Sequence, residues 1–265
     1  MTDSLQRNLD VRHLCSVAWP FPHALADGFF RTAVYEKLRD EFPSIVARSG
    51  AGGRQHSLYW GDEEYERHLE RSPSWTNVFD MVQSQAFVDF IIELFADYWE
   101  REGCTLDLST ARYVRYIEDR EDKERLSLRR VEHDPNELWC RLDFSESYGG
   151  IYGPLHRDQR RRLISMLVYF DHTEDAAGLD GGLRLHRCGI DLQLLRKLGV
   201  GRVPKAYSLL RDQVATTISV PPRANRMVVL VNSNRSWHSV AKTEPARLPA
   251  RHLRIVISSS VDIWR

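Results

Sequence analysis

In the stretch Tyr152-Gly153-Pro154-Leu155-His156-Arg157-Asp158, an imidazole and a carboxylate stand two residues apart. In extended backbone, residues i and i+2 project to the same side of the chain. One ring nitrogen and one carboxylate oxygen can therefore reach a single metal ion. A third ligand is needed, and His238, which follows the apolar run Met227–Val231, supplies it. Two imidazoles and a carboxylate on one face of an octahedron leave three positions open, a donor set suited to Fe(II). Taken alone the H-x-D pair is a weak signal. His172-x-Glu174 matches the looser H-x-E form, but His172 closes a strand and enters an acidic turn with Gly178, Gly181 and Gly182 following, the pattern of a loop. His13, His23, His56, His68, His133 and His186 lack a partner at ligand spacing and read as structural.

The elements that must position these residues change character half-way along. Phe29 to Phe42 places Phe29, Phe30, Ala33, Val34, Leu38 and Phe42 near one helical face, with Pro43 as the stop. Val78 to Tyr98 repeats the pattern as a second helix, and Arg48 to Trp75 between them reads as loop with a short helix. The second half alternates as strands do. Ala111–Ile117, Leu138–Phe144, Leu163–Phe170, Leu183–His186, Ala215–Val220, Arg226–Asn232 and His252–Val261 are short β-branched runs punctuated by Gly, Pro, Asn and Asp. Glu118 to Pro135 interleaves acids and bases as a solvated excursion, and Leu192 to Leu198 is a short helical insert. This order predicts a mainly β chain with N-terminal α structure: a double-stranded β-helix, or jelly roll, buttressed by helices. One domain spans 1–265, with its helical part over about 1–105 and the jelly-roll core over about 106–265.

Composition narrows the class of function. The 265 residues are 42% hydrophobic and 28% charged, the profile of a globular protein. Lys plus Arg and Asp plus Glu each number 37, so no basic excess suggests a nucleic-acid partner. The start, MTDSLQRNLDVRHLC, has no signal-peptide core, and no apolar run approaches membrane-spanning length. Four scattered cysteines without a CxxC pair suggest neither a zinc ribbon nor a disulfide framework, and a reducing cytoplasm is the expected location.

Between about Tyr148 and Ser258 the chain runs H-x-D, apolar strand, Asp180-Gly181-Gly182-Leu183-Arg184-Leu185, apolar strand, His238, and an arginine opening the last strand. In this order it resembles the 2-oxoglutarate/Fe(II)-dependent dioxygenase superfamily, most closely its prolyl-hydroxylase-like branch. Trp19-Pro20-Phe21-Pro22-His23 and a helix ending Glu41-Phe42-Pro43 are similar, more loosely, to the N-terminal lead-in of that branch. The resemblance implies that His156, Asp158 and His238 bind Fe(II), and that dioxygen and 2-oxoglutarate are cosubstrates. It further implies that a strand arginine forks onto the distal carboxylate of 2-oxoglutarate, a task for which a planar guanidinium is suited. Arg251 is the preferred arginine because RHLRIVI then reads as an arginine followed by the final strand, and Arg254 is the alternative. A tyrosine hydroxyl on the cosubstrate carboxylate is also implied, with Tyr152 favoured over Tyr148 and Tyr169. Arg141, Asp143 and Arg162 stand where they could line the mouth of the site.

The activity implied is hydroxylation of a C–H bond, with release of succinate and carbon dioxide, on a small molecule or an amino acid, free or carrier-bound. Asp158 argues against the halogenating variant, in which a small residue replaces the carboxylate. Two alternatives stand beside this reading: hydroxylation of a protein side chain, and a non-enzymatic jelly-roll binding module whose histidines sit in the core.

Overall fold

The computed structural model describes residues 3–12, 14–45, 55–115, 134, 136–147, 153–170, 182–188, 214–242 and 250–265. In chain order the elements are α1 (Asp3–Asn8), β1 (Cys15–Val17), β2 (His23–Asp27), α2 (Thr32–Asp40), β3 (Gln55–Leu58), α3 (Glu63–Arg71), α4 (Pro73–Val82) and α5 (Gln85–Leu94). They continue with β4 (Arg112–Tyr113), β5 (Glu137–Ser147), β6 (Gly153–His156), β7 (Arg162–Tyr169), β8 (Leu183–Cys188), β9 (Val214–Val220), β10 (Arg226–Val231), β11 (His238–Val240) and β12 (Ala250–Ser258). From β5 onward the chain passes back and forth between two sheets. Among the described residues, the larger has the order β1-β2-β10-β7-β12-β5-β3, with β4 also on β5, and the smaller has β6-β11-β8-β9. This is a jelly roll, as the succession of short strands predicted.

Alternation within the strands explains the two cores. Leu138, Cys140, Leu142 and Phe144 of β5, Ile164, Met166 and Val168 of β7, and Leu253, Ile255 and Ile257 of β12 face the helices. They join Phe79, Val82, Phe87, Val88 and Ile91 of α4 and α5, together with Trp75, in one cluster. At its centre Trp75 meets Phe144 edge-on at 4.7 Å between ring centroids, and Phe42 meets Phe144 at 5.5 Å. Each such ring, fully buried, contributes about 1.5–3 kcal/mol. The opposite face of the large sheet turns inward. There Tyr169, Val228 and Leu230 pack with Phe21 and with Leu183, Leu185 and Val220 of the small sheet. Strand β10 is buried along its whole length because it is covered on both faces.

Several expectations are corrected. The helix foreseen over Val78 to Tyr98 is two helices, because Ser84 caps a new start: its side chain accepts from Phe87 N at 3.3 Å. The stretch read as loop with a short helix from Arg48 to Trp75 has that helix as α3 and also carries β3 and the first turn of α4, the last capped by Ser72 with Pro73 in the first turn. Of the strand expected over Ala111–Ile117, residues 111–115 are described, and among them only the two-residue β4 is strand. The N-terminal part is not purely helical, since β1, β2 and β3 extend the large sheet at both sides. The Leu192–Leu198 insert, most of the 118–135 excursion, His13, His133, His172, Glu174, Asp180 and Gly181 lie outside the described residues. No helix among the described residues is long and apolar enough to cross a membrane.

Candidate metal centre

His156 ends β6 and His238 begins β11, and the two are cross-strand partners in the small sheet. Residues directly opposite on neighbouring strands bring their side chains together, and the imidazole centroids stand 4.3 Å apart. Asp158 lies beyond the strand, in the connection from β6 to β7, just before the turn that Arg162 N closes on Gln159 O at 3.0 Å. Each of the three residues offers a ligand atom, and these atoms lie within 4.8 Å of one another. Among the described residues no other group of three His, Cys, Asp or Glu converges in this way.

The surroundings prepare each donor. His156 Nδ1 lies 2.7 Å from Pro154 O, and His238 Nδ1 lies 3.0 Å from Ser236 O. A carbonyl only accepts, so both Nδ1 atoms carry a proton and Nε2 is the ring nitrogen each histidine has left for a metal. Backbone contacts of this kind fix the tautomer that a metal requires. Burial pushes the His238 imidazole pKa down to about 4, and neighbouring His156 pushes the same way. The ring is therefore neutral and able to ligate near neutrality. For Asp158, burial works upward, but Arg162, His238, Ser165 and His156 together hold the carboxyl below its usual value. Its Oδ1 accepts from Arg162 Nη1 at 2.7 Å and its Oδ2 from Ser165 Oγ at 2.5 Å. The direction of the second bond is forced. Asn232 Nδ2, a donor only, gives to Ser165 Oγ at 3.0 Å, so the serine proton goes to Asp158. This donor set fits a divalent iron: two imidazoles whose Nδ1 is held by a backbone carbonyl, leaving Nε2 to ligate, and one ionised carboxylate, oriented before any metal arrives.

The lead-in to His238 is tied on several sides. Arg157, the middle residue of H-x-D, donates to Asn234 O and Oδ1 at 3.0 Å each and lies over the Trp237 ring at 5.1 Å. The wholly buried Glu102 carboxylate accepts from Ser233 Oγ at 2.8 Å and from Arg235. One turn is thereby joined to both the H-x-D segment and the helical layer.

Strand register decides which arginine can face this centre. In β12, Arg254 stands opposite Asp143 of β5 on one side and Leu167 of β7 on the other. Its row points into the barrel, one row from Arg141, Val256 and Ser165. Arg254 donates to Asp143 Oδ2 through Nε at 3.2 Å and Nη2 at 2.8 Å, and Arg141 Nε reaches the same oxygen at 3.0 Å. Arg251 has the parity of Leu253 and lies on the helix side, over the Phe42 ring at 5.2 Å. The geometry brings Arg254, not the preferred Arg251, to the interior. Tyr152 and Tyr148 lie outside the described residues. Tyr169 is on the inner face, where burial raises its hydroxyl pKa.

No protein-family model matches the sequence, and no curated protein matches it. Solved structures with a similar fold include the following three. With a prolyl 4-hydroxylase from Phytophthora capsici it shares 12% identity at a TM-score of 0.46, covering 89% of this chain and 58% of that one, less than two thirds of its length. With a prolyl-4-hydroxylase from Pseudomonas putida it shares 13% identity at a TM-score of 0.42, covering 97% and 98%. With SnoN, a non-haem α-ketoglutarate-dependent epimerase from nogalamycin biosynthesis, it shares 11% identity at a TM-score of 0.45, covering 89% and 76%.

Sequence reasoning found the three candidate ligands and missed their supports. Ser165 was legible only as a lone hydroxyl inside the apolar run Leu163–Phe170, and Asn232 as the polar residue ending another. Asp143 and Arg162, expected near the mouth, are side chains tied to Arg254 and to Asp158.

Proposed function

We propose that this chain is an Fe(II)- and 2-oxoglutarate-dependent dioxygenase that hydroxylates a C–H bond of a small molecule or amino acid. The observation that carries the reading is the pair of imidazoles with protonated Nδ1 and open Nε2, meeting the Asp158 carboxylate at one point inside a jelly roll. His156, Asp158 and His238 would hold the iron. With 2-oxoglutarate and dioxygen bound, the metal supplies the oxidising chemistry: R–H, 2-oxoglutarate and O2 become R–OH, succinate and CO2. Arg254 is the residue we assign to the distal carboxylate of 2-oxoglutarate, since it projects from β12 into the barrel one row from Ser165, whose hydroxyl binds Asp158. Ser165 and Arg162 keep Asp158 ionised and aimed, and Tyr169, Val228 and Leu230 keep water from the interior. The thiols of Cys15, Cys104 and Cys140 are free.

Anaerobic calorimetry with Fe(II) and 2-oxoglutarate tests the assignment. The keto acid should bind only after metal, and His156→Ala should abolish both events. Arg254→Ala should weaken 2-oxoglutarate by about tenfold or more, and Arg251→Ala by less than about twofold. Equal binding of the keto acid with and without metal would return the chain to a metal-free binding module. A succinate-release screen against amino acids and related metabolites, with a proline-containing peptide as the protein-side-chain arm, then identifies the substrate class.

A further inference from the structure

We infer that Asp143 selects which edge of the Arg254 guanidinium faces the barrel interior, and that it thereby restricts the pocket to a keto acid whose distal carboxylate lies at one fixed reach. The inference rests on the oxygenase reading above and concerns a residue which that reading leaves without a role. Asp143 is a positioning residue acting through Arg254.

Three observations converge. First, Asp143 and Arg254 are direct cross-strand partners, so the anchor cannot drift relative to the arginine's own backbone. Second, both bonds from Arg254 leave its Nε–Nη2 edge and end on the same Asp143 oxygen. A guanidinium is a rigid plane with two edges able to fork onto a carboxylate. With the Nε–Nη2 edge committed, the end carrying Nη1 is left for a ligand. Arg254 makes no other hydrogen bond among the described residues, and its side chain is 28% exposed while that of Asp143 is 0% exposed. The arginine keeps part of its surface exposed and its anchor has none. Third, Asp143 Oδ1 is buried and accepts no hydrogen bond among the described residues, although Oδ2 takes donors from both Arg254 and Arg141. A buried acceptor without a donor is unfavourable. Placement of the carboxylate for the guanidiniums, rather than its own hydrogen bonding, accounts for that lopsided use.

An unanchored arginine, with its long flexible stem, can follow ligands of different length. An anchored one cannot follow a carboxylate moved by one methylene. The test uses the full chain loaded anaerobically with Fe(II), and reads dissociation constants for oxaloacetate, 2-oxoglutarate and 2-oxoadipate. These share the keto-acid head and differ by one methylene in reach. The parent should favour 2-oxoglutarate over both homologues by about tenfold or more, and Asp143→Asn should narrow that preference to within about threefold. Asp143→Glu keeps the buried charge, serves where the asparagine variant does not fold, and should move the preference toward oxaloacetate by advancing the arginine tip. A parent that binds all three within about threefold, or variants whose selectivity matches the parent's, overturns the inference while leaving the oxygenase reading intact. A metal-loaded parent that binds no keto acid overturns both.

Discussion

Asp158 illustrates how a ligand can be shaped by residues that never touch the metal. Its two oxygens each accept one bond, from Arg162 on one side and from Ser165 on the other. The serine has no choice of direction, because Asn232 offers it an amide proton. Such contacts to a metal-bound carboxylate typically matter by ten- to a hundredfold in metal affinity. Ser165→Ala should therefore weaken Fe(II) binding by about tenfold, with an unfolding transition close to the parent's. Calorimetric titration with the metal alone checks this, and an unchanged affinity would mean that Arg162 holds the carboxylate by itself. At this scale the types and spacing of His156, Asp158 and His238 were legible in the sequence, whereas Ser165 and Asn232 were not. A hydroxyl in an apolar strand has no visible partner until the strand beside it is known.

The element that matters most is short. Strand β6 has four residues and β11 has three, yet they carry His156 and His238. Their approach depends on Gly153, which pairs with Val240: a Cβ built there would stand 3.0 Å from Val240 Cγ2 and 3.1 Å from its Cβ. Gly153→Ala must push the strands apart by a few tenths of an ångström near the two imidazoles. The expected result is a loss of about 1 kcal/mol of stability together with severalfold weaker metal binding. Chemical denaturation and metal titration on one variant separate the two effects, and a variant that loses stability alone would show that the histidine pair adjusts independently. Both β6 and β11 escaped the sequence reading as strands, since runs of three or four residues carry too little alternation to register. The strands β5, β7, β10 and β12 were recognised because each presents an apolar face to the helices along its length.

Over the whole molecule, the N-terminal segment does more than buttress. Strand β2 pairs with β10, and at that joint Asp27 accepts from Arg226 through both oxygens, at 2.5 and 2.8 Å. The hydrogen bonds from Arg226 lower the Asp27 pKa from its ordinary 3.8, against a smaller opposing effect of burial. A carboxyl whose folded pKa is depressed adds stability that is present above its unfolded value and is lost as pH falls through the folded one. Asp27 is half exposed, so solvent screening keeps the contribution below about 1 kcal/mol. Asp27→Asn should be less stable than the parent by that margin at pH 7, and the gap should close as the pH drops below 3.8. Urea unfolding across this range checks it, and a gap independent of pH would assign the effect to packing instead.

The amino-acid sequence alone determined what chemistry was available: two imidazoles and a carboxylate able to take a first-row metal, and strands whose apolar periodicity demanded a layered β core. Tertiary structure alone decided which of Arg251 and Arg254 enters the barrel. They lie three residues apart in one strand and so face opposite sides, and only pairing with β5 and β7 says which side is inside. It also decided that β1, β2 and β3 would be strands at all. Short segments with mixed polarity gain their hydrogen bonds from neighbours distant in the chain, and no local pattern records that partnership.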